Sequence, residues 1–181
     1  MSVKEIIENR HTVRRFQDRP VDRDIIRQCI NAGRLAPSAE NVQPWRYIIV
    51  DDVEVKSRLV AKAFSGVYRP TRWAAQAPVL IVICGKLDVL ANHMGKQITG
   101  ISYYQIDIGI SGEHVVLQAE ELGLGSCWIG WFSSRGASKA LKLPRSWRPT
   151  AVLAMGYPSE SQPRHREKLD MNDICFFNKV N

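Results

Sequence analysis

The sequence predicts a mixed α/β or α+β fold, a central sheet covered by helices, and three observations predict it. The run "PVLIVIC" at 78–84 is continuously apolar over the length of a strand, as expected of a central strand covered on both faces. Segments with helical apolar spacing start at recognisable caps and alternate unevenly with strand-like segments, which favours a mixed sheet over a regular parallel one. The 181 residues are enough for one sizeable core and few for two, so the chain is expected to be a single domain over 1–181.

Taken in order, Ser2 followed by Glu5 is a capping box, with Val3, Ile6 and Ile7 marking a short amphipathic helix. That helix runs into "RHTVRRF" (10–16), where Arg10, His11, Arg14 and Arg15 crowd together. A helix C-terminus favours cations, so Arg10 has a structural reason to be there, but so dense a cluster also suits an anion. Asp22 reads as the N-cap of a second helix, with Val21 and Ile26 as a hydrophobic staple and Pro37 as its stop. "RYIIV" (46–50) reads as a strand and 53–64 as a helix with Leu59, Val60, Ala63 and Phe64 inward. Residues 86–102 lack periodicity and read as a loop or lid. A long helix follows over about 103–122, with Ile106, Ile110, Val116, Leu117 and Ala119 turned inward and Gly123 as its C-cap. "SCWIGWF" (126–132) is a strand with Trp128 and Trp131 in the core, 134–142 a short helix, and "TAVLAMGY" (150–157) the last core strand. The tail over 158–181 is polar and basic but carries the apolar "ICFF" (174–177), an arm that needs a second subunit to bury it.

Composition narrows the function. Apolar residues make up 45% and charged residues 24%, the balance of a globular protein, and no run is long enough to span a bilayer. The N-terminus has no apolar signal core, and Cys29, Cys84, Cys127 and Cys175 are scattered in apolar surroundings, which predicts reduced, buried thiols, no structural zinc and a cytoplasmic location. The net charge of +7 comes from basic clusters at 10–19, 69–72 and 164–168 rather than one long block, so nucleic acid is not the expected partner. Three separate clusters can still converge on one small anion. The glycines of "GLGSCWIG" follow a helix and precede a strand, the reverse of a dinucleotide fingerprint, and no phosphate loop, nucleophile elbow or metal-ligand spacing appears. Side chains must therefore hold any bound phosphate. His93, His114 and His165 read as surface or capping groups, Arg15 as a surface charge, Asp107 and Glu113 as an exposed face or dimer contact, and Cys127 as an unactivated thiol.

Ser38, Asn41 and Gln43, within "APSAENVQPWRYIIV" (36–50), are three hydrogen-bonding side chains on one rigid stretch, suited to a flat heterocycle. Together with "RHTVRRF", with "LGLGSCWIGWF" (122–132) and with "REKL" (166–169), this stretch resembles the nitroreductase family of flavin enzymes in content, order and spacing. The resemblance implies an α+β fold, a mixed central sheet flanked by helices, in a homodimer with FMN at each of two sites on the subunit interface. It assigns Arg10, His11, Thr12 and Arg14 to the phosphate and the flavin ring, with Thr12 where many members have Ser. Pro37, Ser38, Ala39, Asn41 and, more weakly, Gln43 would come from the partner subunit. Ile129 and Gly130 would run past the isoalloxazine, and Arg166, with Arg164 as competitor, would hold the phosphate. Implied with these are NADH or NADPH as electron donor, a small electron-poor acceptor such as a nitroaromatic or quinone, ping-pong kinetics, and no catalytic side chain, because the flavin carries the chemistry. Relatives that dehalogenate or break down flavin, and a non-enzymatic FMN sensor or store, are the alternative functions.

Overall fold

The computed structural model of the chain describes residues 1–87, 101–159 and 167–179. Most of the 86–102 loop or lid lies outside the described residues, as do His93, Arg164, His165 and Arg166. The sheet has four strands, β1 (Trp45–Val50), β2 (Val79–Lys86), β3 (Gly125–Ile129) and β4 (Trp147–Gly156), in the order β1-β2-β4-β3, with every neighbouring pair antiparallel. Side chains alternate across a strand, so β2 feeds two cores. Leu80, Val82 and Cys84 pack on one face with Val152 and Ala154, under α3 (Val53–Ala63) and α5 (Ser134–Leu141). Val79, Ile81 and Ile83 pack on the other with Leu153 and Met155, under α2 (Arg23–Arg34) and α4 (Tyr103–Glu121). Leu80 through Cys84 are fully buried, each large side chain contributing about 1.5–3 kcal/mol of transfer free energy.

The helix ends follow the local sequence. In α1 (Val3–Asn9) Ser2 Oγ accepts from the Glu5 amide while Glu5 Oε2 accepts from the Ser2 amide at 2.6 Å. Asp22 caps α2 through the Asp24 amide and Asp52 caps α3 through the Val55 amide. Gly123, at φ +76°, ends α4 with paired bonds from the Leu124 amide to the Ala119 carbonyl and from the Gly123 amide to the Glu120 carbonyl.

The buried face of α4 differs from the expected one. Val116 and Ala119 point inward, but Ile106 is 50% and Ile110 36% exposed, and the buried positions include Asp107, Ser111 and Gly112. The cause is close packing: a Cβ on Gly112 would run into the Trp128 ring, and Ser111 Oγ donates to the Gly33 carbonyl while pairing with the Tyr47 hydroxyl. Small residues let the helix sit down on its neighbours, which an apolar pattern does not register.

Arg10 caps the end of α1, and the rest of the basic stretch is extended. Thr12 forms a parallel bridge with Ser126, the Val13 amide donates to the Ser126 carbonyl at 2.9 Å, and the Gln17 amide donates to the Tyr157 carbonyl at 2.8 Å. It therefore lies along the outer edge of β3 and gives the sheet its parallel element. The C-terminal arm contains a short helix, α6 (Met171–Ile174), and along the arm Leu169, Met171, Ile174, Phe176 and Phe177 are all exposed. Cys29, Cys84 and Cys127 are buried as expected, with burial pushing Cys29 up to about 11 and Cys84 up to about 12; Cys175 is exposed, because it belongs to that arm.

The Val13 side chain lies 2.6 Å from where a Cβ on Gly125 would stand. Gly125→Ala is therefore expected to push the basic stretch off β3 and to lower stability by about 1–3 kcal/mol, measured by denaturant unfolding.

Candidate functional site

The sequence-flagged residues fall into two groups. The first lies where the basic stretch meets β3. Arg10 is the C-cap of α1, its amide bonded to the Ile6 carbonyl, and its Nε stands 3.9 Å from Glu113 Oε1. Glu113 keeps a partly exposed side chain, and its other oxygen accepts from Trp128 Nε1 at 3.0 Å. His11 Nδ1 donates to the Asn9 carbonyl. Burial raises the Glu120 carboxyl above its usual value, with His11 and Arg10 pulling it the other way. Thr12 is fixed by its bridge to Ser126, and the exposed Arg14 guanidinium sits 5.8 Å from the Trp73 ring centroid. Ile129 is buried at the end of β3, while Gly130 is exposed with open space where a side chain would project.

Trp131 follows, 57% exposed rather than in the core, because the strand ends at Ile129 and alternation no longer applies. Its Nε1 donates to the Val67 carbonyl, its carbonyl accepts from Thr71 Oγ1 at 2.8 Å, and its ring meets Tyr68 at 5.4 Å. These bonds pin the 3-10 segment Gly66–Gln76 beside Gly130 and, through Trp73, beside Arg14. Sequence reasoning missed this anchoring; an aromatic directly after a strand-ending glycine was the available signal.

The second group is the loop before β1. Pro37 ends the approach from α2, and Ala39–Asn41 form a 3-10 turn. Glu40, Asn41 and Gln43 have φ of +51°, +55° and +50°, a left-handed conformation that side chains other than glycine adopt at a cost of about 1–3 kcal/mol each. Internal bonds support the loop: Ser38 Oγ accepts from the Gln43 amide at 2.9 Å, and Gln43 Nε2 donates back to Asn41 Oδ1 at 3.1 Å. Gln43 thereby braces Asn41. Asp107 Oδ1 accepts from the Ala39 amide at 3.1 Å. Asp107 is buried, not on an exposed face, and burial raises its carboxyl pKa against the opposing pull of that amide.

The structure does not bring the two groups together within one chain. They sit by β3 and β1, the two edge strands, about 14 Å apart across the sheet. They also lie at opposite ends: Ser126 pairs through Met155 to Val79 at one end of β2, while Trp45 pairs with Gly85 near the other, about 20 Å along the strand. His114 Nδ1 donates to the Ala32 carbonyl at 3.3 Å. Among the described residues no group of three His, Cys, Asp or Glu side chains gathers to hold a metal ion, and no helix is long and apolar enough to cross a membrane.

An antiparallel sheet sandwiched by helices, with an arginine-bearing edge and a polar loop at the opposite corner, defines an α+β fold. The chain belongs to the nitroreductase family, whose model matches residues 7–157. A nitroreductase family protein from Clostridium difficile 630, of known crystal structure, superposes with a TM-score of 0.83 at 28% identity, covering 99% of this chain and 100% of that one. An NADH dehydrogenase of Thermus thermophilus is 29% identical over 188 residues, covering 89% of this chain and 89% of that protein. The 5,6-dimethylbenzimidazole synthase of Rhodospirillum rubrum is 27% identical over 171 residues, covering 85% of this chain and 81% of that protein.

Trp131→Ala should release the Gly66–Gln76 segment without unfolding the sheet. Amide hydrogen exchange over 66–76 is expected to speed up about tenfold, as for loss of one or two hydrogen bonds, with β2 and β4 unchanged.

Proposed function

We propose that the chain is a single FMN-binding domain that works as a homodimer, carrying electrons from NADH or NADPH to a small electron-poor acceptor such as a nitroaromatic or a quinone. The observation that carries this reading is the separation of the two halves of the site. A flavin touching both the Arg10–Arg14 stretch and the Ser38–Asn41 loop needs one from each of two copies. Apolar surface suited to hold the second copy is present on α4, at Ile106 and Ile110, and on the arm, at Leu169, Met171, Ile174, Phe176 and Phe177. A cytoplasmic location fits the three buried thiols.

The donor set fits FMN. The group needs a cationic seat for a phosphate near charge −2, hydrogen-bonding partners for a polar ring edge, and backbone that approaches a flat face. Arg10 has five N–H donors on its guanidinium, and its contact with Glu113 is a long one, 3.9 Å at Nε. His11 and Thr12 lie beside it, and Arg166, or Arg164, completes the phosphate seat. Arg14 provides a fixed cation at the ring, where positive charge favours the reduced, anionic form. Ser38 and Asn41, braced by Gln43, entered through Pro37 and joined by Ala39, present hydroxyl and carboxamide groups to the ring edge. Ile129 ends the strand and Gly130 leaves space for close approach. When bound, FMN supplies the two-electron transfer between donor and acceptor, and the side chains named here bind and orient it without acting as acid or base.

The visible spectrum of the purified protein, followed by anaerobic NADH or NADPH, tests the reading. A yellow protein that bleaches and recovers its colour with a nitroaromatic or quinone is the expected result. A colourless protein that refuses added FMN overturns it, and yellow without bleaching leaves a sensor or store in its place. Arg10→Ala and Arg166→Ala should each weaken FMN binding by about 1.5–3 kcal/mol, read by flavin fluorescence titration. Phe176→Ala combined with Phe177→Ala should raise the dimer dissociation constant at least about tenfold in sedimentation equilibrium, given the apolar area each ring removes from water.

A further inference from the structure

Asp107 is an anomaly on α4. It is a carboxylate on the buried face, 4% exposed, among Tyr104, Ile108 and Ser111. Oδ1 accepts from the Ala39 amide, but Oδ2 is buried with no hydrogen-bond partner among the described residues. A half-satisfied buried carboxylate is costly, so it is poorly explained as a contribution to stability.

What it holds explains it better. The Ala39 amide is the first donor of the 3-10 turn Ala39–Asn41, and an N-cap side chain reaches the second or third amide rather than this one. The Ser38 hydroxyl caps none of them, accepting from the Gln43 amide instead. The turn continues through Glu40 and Asn41 at positive φ, and Gln43 repeats the conformation, so local preference works against this loop. Ser38 and Gln43 brace it from within, and Arg46 Nη1 reaches the Gln43 carbonyl from the adjoining strand. The bond from Asp107 comes from another helix and ties the start of the turn to the body of the fold.

We propose that Asp107 is a positioning residue, fixing Ala39 from α4 and thereby the backbone shape in which Ser38 and Asn41 are presented to the flavin. The inference rests on the flavin reading above. It requires an acceptor at Oδ1, not a negative charge. Asparagine keeps that acceptor and alanine removes it.

Three proteins decide the matter: wild type, Asp107→Asn and Asp107→Ala, each titrated with FMN and each examined by amide exchange at Ala39 without flavin. Asp107→Ala is expected to raise the FMN dissociation constant about tenfold, and Asp107→Asn to stay within about twofold of wild type, as for one hydrogen bond to a charged group lost or kept. The Ala39 amide should be protected in wild type and Asp107→Asn and exposed in Asp107→Ala. Wild-type affinity in Asp107→Ala overturns the proposal, and so does an asparagine variant that binds flavin as poorly as the alanine one. If the alanine variant does not fold, an Ala39 amide that exchanges as an open one in wild type overturns the proposal, and a protected amide with asparagine rescue supports it. A wild type that binds no FMN defeats the flavin reading, while Ala39 exchange still reports whether Asp107 fixes the loop.

Discussion

The burial of β2 and β4 on both faces is the constraint from which the rest of the molecule follows. Both strands are apolar on either side, and helices cover each face, so the middle of the sheet has no room for a polar ligand. Polar chemistry is driven to the two edges. One edge, β3, accepts the basic stretch through the Thr12–Ser126 bridge; the other, β1, is entered from the amide-rich loop. The register places these features at diagonal corners, and the proposed dimer would reunite them in a site shared between copies.

The charge pattern follows the same logic. Arginines gathered on one edge repel one another, and the fold offsets this with the α4 carboxylates of Glu113 and Glu120, close to Arg10 and His11. The Arg10–Glu113 contact is long and partly exposed, of the kind worth about 0–1 kcal/mol. Such a pair steadies the side chain without consuming its capacity to bind an anion. Arg14 is held differently, over the Trp73 ring, which orients a cation without neutralising it.

Much of the secondary structure was legible because it is written locally. The Ser2–Glu5 box, the Asp22 cap, the 78–84 apolar run and the turn at Gly123 are each short-range signals, and the structure contains all of them. The motifs that carry the family were legible for the same reason. What was not legible depends on long-range packing. The inward face of α4 is set by small residues such as Gly112 under Trp128, not by its isoleucines. Asp107 looked like an ordinary helix-surface charge because nothing in its neighbourhood announces the Ala39 amide, 68 residues away in sequence. Trp131 looked like a core residue because alternation was extended past the end of its strand.

Helix α4 joins these threads. Its sheet side carries Asp107, bonded to the loop that precedes β1, and Glu113, which holds Trp128 and stands near Arg10. Its solvent side carries Ile106 and Ile110, and near its C-terminal half Leu117 lines a shallow groove with Val3 and Ile6 of α1. One rigid element therefore touches both halves of the candidate site and also presents the apolar surface on which a second copy would rest. In the proposed dimer, any shift of α4 would move the Ala39 bond and the Glu113 contacts together, because all are made by side chains of the same helix.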